Sequence, residues 1–167
     1  MACDQREGER MISLIVAYDV NHLIGKNGWM PWNIKEDLKH FREYTINKDL
    51  LVGRKTFEGF KKPLPHRFHY VLTRGNYEYH DASVKIVHDI KEVIDLYKNN
   101  DKELVVIGGA QVYKEALPYV DKMVISIIDQ EYEGDTYFPE FDENEFETVN
   151  IQQHEQFSVV TLQRKEA

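Results

Sequence analysis

Two apolar runs end in glycine and pass straight into a helix-forming segment, and this repetition constrains the fold more than any other feature. Leu50–Val52 leads into Gly53 and then Arg54-Lys55-Thr56. Leu104–Ile107 leads into Gly108-Gly109 and then Ala110–Leu117, which Pro118 stops. A short apolar run closed by glycine reads as a buried strand, and strands alternating with helices argue a mostly parallel sheet. Ile12–Tyr18, Phe68–Leu72, Val84–Val87 and Lys122–Ile128 read as further strands, and Phe146–Gln153 with Phe157–Gln163 as a closing antiparallel pair. A helix is expected over Ile34–Thr45. Ile90, Val93, Ile94 and Tyr97 recur at i, i+3, i+4 and i+7, one buried helical face. The expected fold is a single-domain α/β sandwich: a central sheet of about eight strands, mostly parallel, with a C-terminal antiparallel hairpin and helices on both faces.

No repeat, low-complexity segment or linker divides the 167 residues, a length that suits one domain. Met1–Arg10 are polar and charged, unlike an apolar signal segment, and Met11 stands directly before a strand. The first ten residues are therefore expected to be an extension, disordered or foreign to the natural chain, and 11–167 the domain. With 21 basic and 29 acidic residues the net charge is −8, so a phosphate backbone is repelled and nucleic acid is not expected as the main partner. The single cysteine, Cys3, cannot form a disulfide within the chain, which suits a reducing cytoplasm. No apolar run approaches the roughly 18 residues that span a bilayer, so no membrane association is expected. A monomer is the default.

A long connection, Asp19–Asn33, follows the first strand, punctuated by Gly25, Gly28 and Pro31. Its Trp29, Met30 and Trp32 make it too apolar for a disordered linker, and long connections in compact domains are usually functional. In the helix after it, Ile34, Leu38 and Phe41 occupy the core stripe, yet position i+3 of that stripe is Asp37. A carboxylate there is costly unless something pairs with it. The plain alternative is an acid in the first turn, where the helix dipole favours negative charge. Trp32, Met30 and Phe41 would instead wall it with apolar surface, the way a flat, hydrogen-bond-donating heterocycle is held. Glu36, about 100° round the helix, is expected to face solvent rather than pair with Asp37.

The two strand–glycine–helix turns suit anions. Backbone N–H groups at a helix start attract negative charge, and Arg54, Lys55 and Thr56 add cations and a hydroxyl, although a solvated basic turn reads equally well. Gly108 and Gly109 allow close backbone approach, although glycine there could serve turn geometry alone. Two such turns at strand ends together favour a dinucleotide. The seven histidines form no H-E-x-x-H and one cysteine builds no zinc site, so no metal is expected. There is no G-x-S-x-G and no Walker P-loop, which leaves a bound cofactor as the source of chemistry.

Taken in order, these residues resemble the dihydrofolate reductase family from about Met11 to Arg164. The match rests on Ile12–Ala17, Ile24-Gly25, Trp29-Met30-Pro31-Trp32-Asn33, Asp37-Leu38 and Phe41, then on Gly53–Phe57, Pro63–Arg67, Ile107-Gly108-Gly109 and Tyr113. Gly134-Asp135-Thr136 and Phe138-Pro139 close it. The resemblance implies NADPH-dependent reduction of dihydrofolate, with antifolate inhibitors as further ligands. It implies that Asp37 accepts hydrogen bonds from the pterin, that Trp32 holds an ordered water, and that Ser126 hydrogen-bonds near Asp37. Ala17, Leu38, Phe41 and Phe60 would line the substrate pocket, with Ile107 and Tyr113 beside it, and Arg67 would clasp the glutamate α-carboxylate. Gly53, Arg54, Lys55, Thr56, Thr73 and Arg74 would hold the adenosine and its 2′-phosphate. Gly108, Gly109, Ala110, Gln111 and Val112 would meet the pyrophosphate across a cis Gly108–Gly109 bond. Ala17, Ile24, Gly25, Ile107 and Tyr113 would flank the nicotinamide. Asn27, Gly28 and Met30 would belong to a lid.

Some positions depart from the commoner family pattern: Lys35 for proline, Ser126 for threonine, Ala110 for glycine, Gln111 for arginine in some relatives, and a bulky Phe60. None removes a catalytic group, though the Gln111 contact to cofactor would be weaker. Two rival readings stand beside this one. A reductase of another pterin or of a pyrimidine is opposed by Arg67 and Asp37, which suit opposite ends of folate. A silent nucleotide-binding module is opposed by the intact Asp37–Trp32 pair, and structural scaffolding alone would leave the acid on the core stripe unexplained.

Overall fold

A computed structural model describes residues 11–26, 30–97 and 101–165. In chain order the elements are β1 (Met11–Asp19), β2 (Leu23–Gly25), α1 (Lys35–Thr45), β3 (Asp49–Gly53), α2 (Arg54–Gly59), β4 (Phe68–Leu72), β5 (Val84–Val87), α3 (Ile90–Leu96), β6 (Glu103–Gly108), α4 (Ala110–Ala116), β7 (Lys122–Ile128), β8 (Thr136–Tyr137), β9 (Phe146–Gln153) and β10 (Phe157–Arg164). Eight strands form one sheet in the order β5-β4-β3-β6-β1-β7-β10-β9, parallel from β5 to β7, with β10 and β9 antiparallel. This is the expected α/β sandwich with its closing hairpin. The strand ends, β2–β8 pairing and two 3-10 turns were not expected.

Alternation along β1 divides the core. Ile12, Leu14, Val16 and Tyr18 point to one face, where Val93, Ile94 and Tyr97 of the α3 region and Val112 and Tyr113 of α4 pack. Ile15 points to the other, with Ile34 before α1 and Phe57 of α2. The four residues of the predicted α3 face are all buried, and Asp89 caps that helix by accepting from the Lys91 N–H at 3.0 Å.

The same register makes room for a cleft. On the α1 side, β1 follows Ile15 with Ala17, and Ala17 lies opposite Ser126 of β7. Two small residues side by side, where neighbouring positions carry Ile15 and Val124, leave the space under the start of α1 unfilled. Beyond it Asp19 is fully buried. Its carboxylate accepts the backbone N–H groups of Asn21 at 2.8 Å, Leu23 at 2.9 Å and Tyr132 at 2.8 Å. One acid therefore fixes both the chain leaving β1 and the segment after β7, and holds β2 against the strand ends.

Candidate active site

Beneath α1 lies a cavity of about 330 Å³, lined by Ala17, Ile24, Met30, Asp37, Leu38, Phe41, Phe60, Ile107, Tyr113 and Ser126 among others. It opens into a second cavity of about 580 Å³, and Ile24, Lys55, Thr56 and Gly109 belong to both. The second is lined by Gly25, Gly53, Arg54, Thr73, Arg74, Ala110, Gln111 and Val112. The structure thus brings together most of the residues singled out above, at the C-terminal ends of β1, β3 and β6.

Asp37 is 6% exposed and is the one carboxylate among the described residues of the first cavity. Burial pushes its carboxyl above the usual carboxylate range, against the downward pull of the Ser126 hydroxyl bond and of His40 and His154. Trp32 is buried beside Tyr132, and its indole Nε1 is buried without a hydrogen-bond partner. A buried donor of this kind calls for a water or ligand acceptor. Glu36 points outward as expected and meets His154 Nδ1 at 3.3 Å, while the His154 ring stacks on Phe157 at 4.4 Å. The hairpin turn thereby braces the start of α1.

Leu38 corrects the reading of that helix. It was placed with Ile34 and Phe41 on a core stripe, yet it is 47% exposed and Phe41 is only half-buried, because both side chains wall the cleft. Of the three, Ile34 is buried in the core, Phe41 packs against it while facing the cleft, and Leu38 alone belongs to no core cluster. His40, missed by the sequence reading, also lines the cavity; its position three residues beyond Asp37, on the same helical face, was the available signal. Burial holds its imidazole below the ordinary value, opposed first by Asp37.

Arg67 lines neither cavity. It lies 8% exposed at the far end of α1, where its Nε donates to the Pro65 carbonyl at 2.9 Å and its Nη1 to Thr45 Oγ1 at 3.0 Å. The Thr45 hydroxyl in turn donates to the Phe41 carbonyl at 2.7 Å. These bonds fix the guanidinium plane, and burial, then the neighbouring Arg42, holds its pKa below the ordinary arginine value.

At the crossing of the two cavities the glycines are needed as glycines. The Gly108–Gly109 bond is cis, as expected, and Gly108 has φ +121°, where a side chain would be strained and would meet the Tyr113 ring. A Cβ on Gly53 would meet Val112 Cγ2 at 3.0 Å, and one on Gly109 would meet Thr56 Oγ1 at 3.1 Å. The Tyr113 hydroxyl donates to the Ile15 carbonyl at 2.8 Å, tying α4 to β1. The two arginines beyond are paired with acids. Arg54 Nη1 meets Glu58 Oε1 at 2.8 Å, and Arg74 Nη2 meets Glu115 Oε2 at 3.9 Å, an oxygen that also accepts from Gln111 Nε2 at 3.4 Å. Glu115, His88, Leu72 and Thr136 line this cavity without having been anticipated. Of the lid residues, Met30 lines the first cavity, 42% exposed; Asn27 and Gly28 lie outside the described residues. No group of His, Cys, Asp and Glu among the described residues is placed to hold a metal, and no described helix is long and apolar enough to cross a membrane.

Comparison with known proteins agrees with this geometry. Residues 11–164 match the family model described as dihydrofolate reductase. A curated relative named dihydrofolate reductase, from Bacillus subtilis (strain 168), is 41% identical over 144 residues, covering 86% of this chain and 84% of the relative. One from Haemophilus influenzae is 38% identical over 135 residues, covering 81% and 82%. A solved structure of dihydrofolate reductase from Enterococcus faecalis, complexed with NADP(H) and RAB-propyl, superposes with a TM-score of 0.85 at 35% identity, covering 93% of this chain and 97% of that one.

Proposed function

The chain belongs to the dihydrofolate reductase family, and from that premise we propose that it reduces 7,8-dihydrofolate to 5,6,7,8-tetrahydrofolate with NADPH, by hydride transfer to pterin C6 and protonation at N5. The observation that carries the reading is Asp37, a buried carboxyl raised in pKa at the floor of an apolar cleft that continues into a basic, glycine-lined one. Residues 11–167 form the catalytic domain in this reading, and Met1–Arg10 an extension. A monomer in the cytoplasm, without nucleic acid as a main partner, fits the reading.

The second cavity fits a phosphorylated dinucleotide. Gly53 and Gly109 bring backbone to its wall where a Cβ would press on Val112 and Thr56, and two arginines stand beyond them. Gly108, Gly109, Ala110, Gln111 and Val112 would hold the pyrophosphate, and Gly53, Arg54, Lys55, Thr56, Thr73 and Arg74 the adenosine and its 2′-phosphate. Ala17, Ile24, Gly25, Ile107 and Tyr113 would flank the nicotinamide. Bound NADPH supplies the hydride at nicotinamide C4.

The chain's own residues supply position and proton control. Asp37 accepts hydrogen bonds from the pterin N3 and 2-amino groups, and the Ser126 hydroxyl keeps its carboxyl oriented. Held at N3, Asp37 cannot itself reach N5, so it polarises the ring for protonation by water. Trp32 Nε1, without a protein partner, orders that or a neighbouring water. Leu38, Phe41 and Phe60 clamp the flat ring system and exclude bulk solvent, while Ala17 leaves room for it. Arg67, its plane already set by Thr45 and Pro65, receives the glutamate α-carboxylate in a bidentate fork. Keeping the two rings in reacting geometry is the main contribution. Met30, with Asn27 and Gly28, belongs to a lid over the nicotinamide.

Absorbance at 340 nm, followed while purified protein is mixed with NADPH and dihydrofolate, tests the proposal. Signal loss that needs both compounds and stops with methotrexate is expected. NADPH binding without consumption would replace this reading with a silent nucleotide-binding module.

A further inference from the structure

The two arginines of the second cavity are already engaged by acids of the same chain. Arg54 and Glu58 are spaced i, i+4 on α2, 2.8 Å apart. Cation first, acid second is the weaker order on a helix, because each charge then sits at the wrong end of the dipole. Arg74, which follows β4, reaches across the cavity to Glu115 on α4 at 3.9 Å. Arg74 is 83% exposed and Glu115 only 30%, so the arginine is the mobile partner and the carboxylate stays in the wall. Glu115 is further steadied by Gln111 Nε2 at 3.4 Å.

We propose that Glu115 is a specificity-determining residue: it occupies Arg74 where a nucleotide 2′-phosphate would bind, and so weakens discrimination between phosphorylated and unphosphorylated cofactor. Glu58 does the same to Arg54. The inference rests on the NADPH reading of this cavity. A phosphate that captures Arg74 must first separate it from Glu115, and then lies beside a like-charged carboxylate. A ribose carrying only a 2′-hydroxyl meets neither cost, because it makes no claim on Arg74 and brings no charge.

Direct binding tests this without turnover. Dissociation constants for NADPH, NADH, adenosine 2′,5′-bisphosphate and 5′-AMP are measured by calorimetry on wild type, Glu115→Gln, Glu58→Gln, Arg74→Ala and the Arg74→Ala/Glu115→Gln double variant. Glu115→Gln is expected to tighten NADPH and the bisphosphate roughly two- to fivefold, the range of a loosely held surface ion pair, and to leave NADH and 5′-AMP unchanged. In the Arg74→Ala background that gain should fall by at least half, a coupling that a merely structural role would not produce. Glu58→Gln should shift the same ratio in the same direction. Equal tightening of all four ligands, or an unchanged ratio of NADPH to NADH, overturns the inference while leaving the cofactor site intact. No measurable binding of any of the four ligands to wild type or to Glu115→Gln overturns the cofactor reading itself, and this inference with it.

Discussion

Replacing Asp37 with asparagine should slow the enzyme and stabilise the fold at once. The carboxyl is 6% exposed, and burial raises its pKa. The unfolded chain releases this proton near the ordinary carboxylate value, before the folded one does, so folding stability declines as pH climbs from that value through the raised one. Above the raised value the penalty is constant. Asparagine carries no charge to bury and keeps an oxygen for the Ser126 hydroxyl, so the variant should be more stable near neutral pH by roughly 0.5–2 kcal/mol. At this chain length each kcal/mol corresponds to about 2–4 °C in Tm. Catalysis moves the other way. In the proposed complex the carboxylate serves two pterin N–H groups, and a charge-assisted hydrogen bond is worth roughly 1.5–3 kcal/mol. Losing about 3–5 kcal/mol lowers hydride transfer by roughly 10²–10⁴. Stopped-flow measurement of the first turnover, across pH, checks this. Wild type should slow as pH falls through the raised Asp37 value, because a protonated carboxyl no longer accepts from both pterin N–H groups, and the variant should lose that limb. Near-normal turnover in the variant, or a retained limb, would refute the role; a variant less stable than wild type at neutral pH would refute the account of burial.

Three further changes probe other parts of the structure. Arg67→Lys forfeits the bidentate fork prepared by Thr45 and Pro65, and should raise the dihydrofolate KM roughly 10–100-fold with little change in kcat, read from steady-state rates. Gly109→Ala puts a Cβ 3.1 Å from Thr56 Oγ1 at the crossing of the two cavities, and should weaken NADPH binding about tenfold or more, measured by fluorescence titration. Asp19→Ala strips three backbone N–H groups of their shared acceptor in a fully buried place, and should cost about 3–5 kcal/mol in urea unfolding; a loss under 1 kcal/mol would mean that water replaces the carboxylate.

The sheet and the helices were legible because burial imposes a period, and the periods in Ile12–Tyr18 or Ile90–Tyr97 have one structural reading each. The β2–β8 pair was not. Its strands hold three and two residues, and its decisive contact, Gly134 against the Gly25 carbonyl and Leu23, where a Cβ would collide, joins parts of the chain 109 residues apart in the sequence numbering. Asp37 stood out as an acid on an apolar stripe, but the same pattern misplaced Leu38. An apolar side chain facing a core and one facing a ligand have the same spacing. Arg67 was legible only through resemblance, since nothing in a Pro-Leu-Pro-His-Arg run predicts a guanidinium locked by Thr45 from 22 residues away. Glu58 and Glu115 carried a visible i, i+4 relation to Arg54 and Gln111, whereas the pairing of Glu115 with Arg74 depends on two elements meeting across a cavity.

The half-finished apolar side of α1 also bears on how much of this protein a cell can keep. Leu38, Phe41 and Met30 leave hydrocarbon in the cleft that no part of the described chain covers, so a flat ligand completes packing that the polypeptide leaves open. Anything that binds only the folded form holds the chain there by mass action. Proteases and chaperones act on the opened form, so abundance should track the supply of folate and nucleotide. An inhibitor that stops turnover would then lengthen the lifetime of its own target, and raise its cellular level even as activity falls.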